Sequence, residues 1–423
     1  MTAVIVGYGG RGSTYAEYAV KFPEKLEIVA VADPQEIKRE SAKKSLNLTD
    51  DQFYLDWRDL ANQPKMADIA IIATQDNEHY EPSLAMIEKG YHLLLEKPMA
   101  FTPSECKGIA EAAERKGVQV IVCHVLRFTP FYKTLKDLVD DGAVGNIVSV
   151  SHYEDVGLPN YMHSFVRGKW RHTDFACPMI VAKTCHDFDI LQWIIGKQCK
   201  KVQSFGTYNV FTPENKPEGA PERCIDGCPH GETCYYNTMK FYFDPNDPVN
   251  DMWRRAAANT IFPPTDEEVM QAMRDTEFGL CIYNCGQNIV DRQIVNMEYE
   301  DGITVTLTMV PFTPGDRYTR IYGTDGFIEA SMHEATIKIY SFATKEWKTV
   351  QVELLDDSIA GGHGGGDYAI MDELFAACRG EEVTKSICDV RTSYLNHIHA
   401  YGAEYSRLNG GIMVDIDEWT KEL

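Results

Sequence analysis

Long apolar runs are missing from this 423-residue chain: no stretch of roughly eighteen such residues occurs, so no segment reads as a membrane-spanning helix. Positive charge is scarce too, with 41 Lys and Arg against 63 Asp and Glu and a formal net charge of −22. So acidic a chain is repelled by nucleic acid and by anionic lipid surfaces, which excludes both as partners. Internal repeats and low-complexity tracts are absent. No basic leader with a cleavage site precedes the first apolar run, and the expectation is a cytoplasmic protein. Cysteine is not scarce, at twelve residues. Most of them, including Cys106, Cys123, Cys177, Cys199, Cys378 and Cys388, lie singly in apolar surroundings, as reduced core thiols do. The length exceeds one ordinary core, so two domains are expected.

What is present begins at the N-terminus. Val4-Ile5-Val6-Gly7-Tyr8-Gly9-Gly10-Arg11-Gly12 reads as a buried strand entering G-x-G-x-x-G. Gly7 serves the tight turn, Gly9 the close approach of a pyrophosphate, and Gly12 the packing of the next helix on the strand. Helix signals follow at once, so phosphates would meet unpaired N–H groups and the positive end of a dipole. A second apolar run, residues 26–32, ends at Asp33. That acid lies 33 − 12 = 21 residues past the last glycine, where a carboxylate about 20 residues on binds the ribose 2′-OH. It favours NAD, while Lys38 and Arg39 keep NADP open. Further strands at 67–74, 92–95 and 118–123 alternate with helices and predict a doubly wound parallel sheet over residues 1–123. Polar residues gather at the ends of two of them, Gln75-Asp76-Asn77-Glu78-His79 and Glu96-Lys97-Pro98, where open parallel sheets bind ligands.

These segments, with Arg127-Phe128-x-Pro130, residues 142–147 and His186-x-x-Asp189 further on, together resemble the glucose–fructose oxidoreductase / inositol dehydrogenase (Gfo/Idh/MocA) family. The resemblance implies an α/β protein. Its N-terminal Rossmann domain would bind NAD(P), and its C-terminal α/β domain, residues 124–423, would carry a large, mainly antiparallel open sheet. It also implies sugar or cyclitol substrates and a homo-oligomer, dimer or tetramer. Expected cofactor contacts are Gly7, Tyr8, Gly9, Gly10, Arg11, Gly12, Asp33, Thr74, Gln75, Asn77, His79, Glu96, Lys97 and Arg127. β-Branched and aromatic alternation between turn signals, from residues 146–154 to 336–340, predicts that second sheet independently. Helices at 367–378 and 391–408 are expected to cover one of its faces.

Oxidising an alcohol requires a base and a cation that polarises the hydroxyl. Lys97, at a strand's C-terminal end, is the candidate cation. His186, at the start of an apolar helix, is the candidate base, because imidazole titrates near neutrality. The resemblance assigns both the same roles. One departure stands out: many family members carry Asp four residues before the histidine, where this chain has Ala182 followed by Lys183. Lys183 is therefore a third candidate, orienting an acidic or glycosidic substrate. His163, Arg167, Trp170, Arg292 and His363 are candidate substrate contacts, suited to a hydroxyl-rich ligand.

Residues 209–280 read as a Pro- and Cys-rich insertion. Cys224, Cys228 and Cys234 could hold structural zinc with His230 or a distant cysteine as fourth ligand; packed thiols and a disulfide remain open alternatives. The expected activity is NAD-dependent hydride transfer from a secondary hydroxyl of a sugar, glycoside or cyclitol. The alternatives are a glycosidase or lyase that oxidises its sugar transiently, and a non-catalytic NAD-binding sensor.

Overall fold

The first apolar run forms β1 (Thr2–Val6), whose residues from Ala3 onward are at most 1% exposed. With β2 (Glu27–Ala32), β3 (Phe53–Tyr54), β4 (Ile69–Ile72), β5 (His92–Leu95) and β6 (Val120–Val122) it makes a parallel sheet in the order β3-β2-β1-β4-β5-β6. Continuous apolar runs such as Ile69-Ala70-Ile71-Ile72 suit strands covered on both faces. The helix Pro103–Lys116 shows how the covering elements are punctuated. Thr102 and Glu105 form a capping box, Pro103 occupies the first turn, and Gly117 ends the helix at φ +65°. Strand order reverses between β1 and β4, so the crevice at their C-terminal ends is the sheet's natural ligand site. The computed structural model describes residues 1–246, 250–260, 262–353 and 366–423.

The second sheet has nine strands: β7 (Ile147–Asp155), β8 (Cys199–Thr207), β9 (Arg292–Tyr299), β10 (Thr304–Val310), β11 (Asp316–Gly323), β12 (Gly326–Ser331), β13 (Thr336–Ser341), β14 (Glu346–Gln351) and β15 (Val414–Asp415). Their order is β14-β13-β12-β11-β7-β10-β9-β8-β15, antiparallel throughout except for the parallel β7–β10 pair. The mainly antiparallel open sheet of the sequence reading is therefore observed. β9 alternates strictly, with Gln293, Val295, Met297 and Tyr299 buried and the residues between them exposed, the pattern of a sheet with one covered face.

One helix departs from expectation. Gly366–Cys378 packs on the first sheet, not the second: Ile370, Met371, Leu374 and Phe375 are buried with Ala3, Ile5, Tyr15 and Tyr18. The long helix Val390–Leu408 covers β8 as expected and also touches the helices Pro103–Lys116 and Cys185–Ile195. Its His397 accepts from Met99 N–H at 2.9 Å, and its Tyr401 hydroxyl donates to Ala100 O at 2.8 Å. Those bonds fix the segment just after Lys97 and Pro98, whose connecting peptide bond is cis. The insertion builds its own aromatic core from Phe211, Tyr236, Phe241, Tyr242, Trp253 and Phe278. It also reaches the first domain, where Asn259 donates to the Gln35 side chain at 2.9 Å and Phe262 lies beneath Lys44.

Candidate active site

The glycine loop has the turn at Gly7 and the close packing at Gly12 that its spacing predicts. Gly7 has φ +92°, and a Cβ there would stand 2.5 Å from Ala73 O; one on Gly12 would meet Gly7 O at 2.1 Å. Gly9 is different, for a Cβ would find nothing within 4 Å. Its backbone is therefore open at the N-terminus of the helix Gly10–Lys21, where unpaired N–H groups favour an anion. Asp33 accepts from Tyr8 N–H at 2.8 Å and Gln35 N–H at 2.9 Å, one bond on each oxygen, and a carboxylate oxygen retains a further lone-pair site for a ribose hydroxyl. Beside it a cavity of about 290 Å³ is lined by Gly7, Pro34, Trp57, Thr74 and Asn77, among others. These residues fit a bound dinucleotide.

Several expected cofactor contacts serve the loop instead of facing it. Tyr8 is 1% exposed and contributes its backbone N–H. Arg11 donates to Glu96 at 2.6 Å and to both oxygens of Asp367, tying the loop to the end of β5 and to the helix Gly366–Cys378. Burial alone would raise the Glu96 carboxyl, but Arg11 beside it holds it below the usual carboxylate range. Both His79 ring nitrogens face backbone oxygens, Pro98 O at 2.7 Å and Thr74 O at 3.3 Å, so His79 braces the turn that carries Lys97. Gln75 is exposed at the same crevice. Arg127, an expected cofactor contact, is 3% exposed and forks onto Asp189 at 2.7 and 2.8 Å. Asp189 also accepts from Asn396 at 2.6 Å.

Lys97, Lys183 and the start of the His186 helix come together. The Lys97 ammonium donates to Ala182 O at 3.0 Å, so the residue without the family's carboxylate still supplies an acceptor. Lys183 meets Glu154 of β7 at 3.3 Å, and Arg317 of β11 bridges Glu154 and Asp187 at 2.7 Å each. Asp187 also pairs with His152 at 2.9 Å. Burial pushes the Lys183 ammonium down; Glu154 opposes the shift, while Arg317 and Lys97 add to it. Burial pushes the Glu154 carboxyl up, whereas Arg317 and His152 hold Asp187 down against its own burial, so Glu154 takes a proton first. His186 is 5% exposed with its ring edge-on to His124 at 6.2 Å. Glu154, Asp187, His152 and Arg317 were not among the sequence candidates. The available signal was polar residues at the inward positions of β7, where His152 and Glu154 alternate with outward side chains.

The expected substrate contacts divide. Trp170 lies in the crevice, its indole N–H donating to Asp76 at 3.0 Å. Beside it the Lys169 ammonium, missed from the sequence, stands among Asp76, Asp33 and Lys38. Desolvation in the crevice lowers its pKa, with Lys38 adding to the shift and Asp76 and Asp33 opposing it, although part of the residue stays solvent-accessible. His163 and Arg167 sit on a buried π-helix, Tyr161–Arg167. His163 Nδ1 pairs with the Tyr242 hydroxyl at 2.8 Å, and Arg167 donates to Leu280 O at 3.1 Å and Tyr236 O at 2.8 Å. Both belong to the insertion's core rather than to a ligand surface. Arg292, at the start of β9, is tied to Asp291 and Asn209. His363 lies outside the described residues.

A glycine loop at the sheet's reversal point and an acid at the next strand end are the features of a dinucleotide-binding domain. Residues 1–124 match the family model described as oxidoreductase family, NAD-binding Rossmann fold, and residues 136–401 the one for its C-terminal alpha/beta domain. The chain belongs to the Gfo/Idh/MocA oxidoreductase family.

Among its relatives, YteT of Bacillus subtilis (strain 168), named as an oxidoreductase, is 26% identical over 330 residues, covering 73% of this chain and 72% of that protein. The inositol 2-dehydrogenase/D-chiro-inositol 3-dehydrogenase of Lactiplantibacillus plantarum is 26% identical over 214 residues, 50% of this chain and 55% of that one. The chain thus spans just over half the length of that dehydrogenase. Levoglucosan dehydrogenase, solved with NADH and L-sorbose, has the same fold at TM-score 0.68 and 16% identity, covering 98% of each chain. No helix among the described residues is long and apolar enough to cross a membrane.

Proposed function

We propose that the chain is an NAD-dependent dehydrogenase acting on a secondary hydroxyl of a sugar, glycoside or cyclitol. The observation that carries this reading is the meeting of Lys97, Lys183 and the His186 helix beside the nucleotide loop. Relatives named as inositol dehydrogenases, and a fold shared with a levoglucosan dehydrogenase, support the substrate class. Bound nicotinamide supplies the hydride acceptor. Gly7, Gly9, Gly10 and Gly12 would cradle its phosphates, and Asp33, which would repel a 2′-phosphate, favours NAD over NADP. Lys97 polarises the hydroxyl and stabilises developing alkoxide charge, and His186 receives the proton. Lys183, backed by Glu154, orients a second oxygen of the substrate, with Trp170 and Lys169 walling the crevice. In this reading the nucleotide domain is 1–123, the substrate domain is 124–423, and copies of the chain associate through the open face of the second sheet.

Ala182 in place of the family's carboxylate, with Lys183 next to it, favours one other reading: a glycosidase or lyase that oxidises its sugar transiently and restores its own NAD. One experiment separates the two. Nicotinamide released from denatured protein is assayed for identity and redox state, and intact protein is then incubated with NAD and a panel of sugars, cyclitols and glycosides. NADH accumulating with a ketone product, and lost in Lys97→Ala and His186→Ala, supports the dehydrogenase. Cleaved or eliminated product without net NADH supports the other.

A further inference from the structure

We infer that Cys224, Cys228, Cys234 and Cys281 form a four-thiolate site for a single zinc-class metal ion, which locks the insertion to the substrate domain. The first three lie in C-I-D-G-C-P-H-G-E-T-C; the fourth comes from 47 residues further on (281 − 234). All four line one cavity of about 20 Å³, the room of a single atom or water rather than of a multinuclear cluster.

Backbone bonds gather the four positions. Arg223 and Leu280 form an antiparallel bridge, with Cys224 N–H donating to Gly279 O at 3.0 Å and Cys281 N–H to Glu222 O at 2.8 Å. Cys224 and Cys281 therefore flank one point where two segments cross. Gly227, at φ +75°, turns the chain back toward Cys228, and Gly231 N–H closes a turn onto Cys228 O at 3.0 Å. Cys234 N–H then donates to His230 O at 2.8 Å, completing the ring of thiols. His230 also faces the cavity, but its Nε2 is engaged with Glu218 O at 2.8 Å. No three of the four sulfur atoms lie within 4.8 Å of one another. Zn–S bonds of about 2.3 Å would hold them closer, so binding draws the thiols inward.

A second observation points to an anion at this place. Arg167 is fully buried, and its Nη1 has no hydrogen-bond partner among the described residues. Its other donors reach Leu280 O, next to Cys281, and Tyr236 O, two residues past Cys234. No carboxylate forms an ion pair with it among the described residues, and buried charges are ordinarily paired. Binding a divalent ion releases four thiol protons and leaves a site of net charge −2, which would compensate a buried guanidinium. Thiolate donors select zinc over calcium or magnesium, and a closed four-ligand shell marks a structural ion.

Metal content of the purified full-length protein tests this without reference to its activity. About one zinc per chain is expected, and cobalt(II) exchanged for it should give the visible bands and thiolate charge-transfer absorption of a tetrahedral sulfur site. Cys228→Ser and Cys281→Ser should lose the ion, whereas Cys285→Ser and Cys378→Ser, outside the ring, keep it. The cobalt spectrum uses the unmutated chain, so misfolding of a variant does not spare the inference. Protein that carries no zinc and takes up no cobalt when reduced would overturn it. So would iron with acid-labile sulfide, or a native mass showing disulfides among these cysteines.

Discussion

Lys183 and Glu154 form an ion pair of 3.3 Å at the candidate site. Glu154 raises the affinity of Lys183 for its proton, while Arg317 and Lys97 lower it. Replacing Glu154 by Gln removes the raising influence, so the Lys183 pKa falls. The alkaline limb of the rate profile should then move to lower pH, as kcat measured between pH 7 and about pH 10 would reveal; an unmoved limb would remove Lys183 from the rate-determining ionisations. Lys97→Met should cut kcat by about 10²- to 10⁴-fold with bound nicotinamide retained, the range of a lost acid–base or polarising group. Asp33→Ser should narrow the preference for NAD over NADP, read from the two cofactors' Kd values. Arginines are the residues whose roles sequence reading assigns least well. Arg127 and Arg167 share a composition with cleft arginines, and only the folded chain reveals that one meets Asp189, 62 positions away, and the other two backbone carbonyls.

At the level of elements, the glycine-rich turn and its helix are the most exacting. Gly12→Ala places a methyl 2.1 Å from Gly7 O, a backbone atom that cannot step aside. The helix Gly10–Lys21 should shift and the protein should purify with little nicotinamide, its melting temperature no longer rising on addition of NAD; retained cofactor would mean the turn tolerates more than its geometry implies. The elements legible in the sequence were those whose burial leaves a pattern, β1 and β4 as continuous apolar runs covered on both faces and β9 as a strict alternation. β14 was not, because five of its six residues are exposed and no apolar alternation marks it; its Trp347 rests on Phe327 and Tyr340 at ring separations of 5.1 and 5.3 Å. β15 is two residues long. The helix Gly366–Cys378 was found but docked on the wrong sheet, since an apolar stripe specifies that a partner exists and not which one. In the site, Lys97 and His186 followed from motifs. Glu154, Asp187 and Arg317 did not, since they converge from β7, a helix and β11 through pairings that no local pattern encodes.

At the scale of the molecule, the described residues leave one face of the second sheet uncovered, and cross-strand neighbours Phe205, Ile294, Thr308 and Tyr153 form a row on it. Phe205, Ile294 and Tyr153 are 55%, 46% and 39% exposed, an apolar patch of the kind that marks an interface. Light scattering should give a dimer or tetramer that Ile294→Lys dissociates; a monomeric wild type would end that reading. Acid should destabilise the fold through its buried histidines. Burial lowers His163 and His397 to about 3 and His399 to about 4, below the unfolded value of about 6.5. The unfolded state therefore binds more protons in that interval. Stability is intact above about pH 6.5 and falls toward pH 4, by up to about 1.4 kcal/mol per pH unit for each group. Urea midpoints at pH 8 and pH 5 should differ, and His399→Leu should shrink the difference.

The clamp of Arg11 between Glu96 and Asp367 has a consequence for how the chain is made. Synthesis delivers the nucleotide loop among the first residues, yet the carboxylate that completes its clamp, and the helix that covers that face of the sheet, emerge more than 350 positions later. On a ribosome the first 123 residues would wait with the side of Tyr18 that meets Tyr368 and Phe375 open to solvent, despite looking like a self-sufficient unit. A fragment ending there should aggregate when expressed alone, and co-expression of residues 366–423 as a separate piece should rescue it.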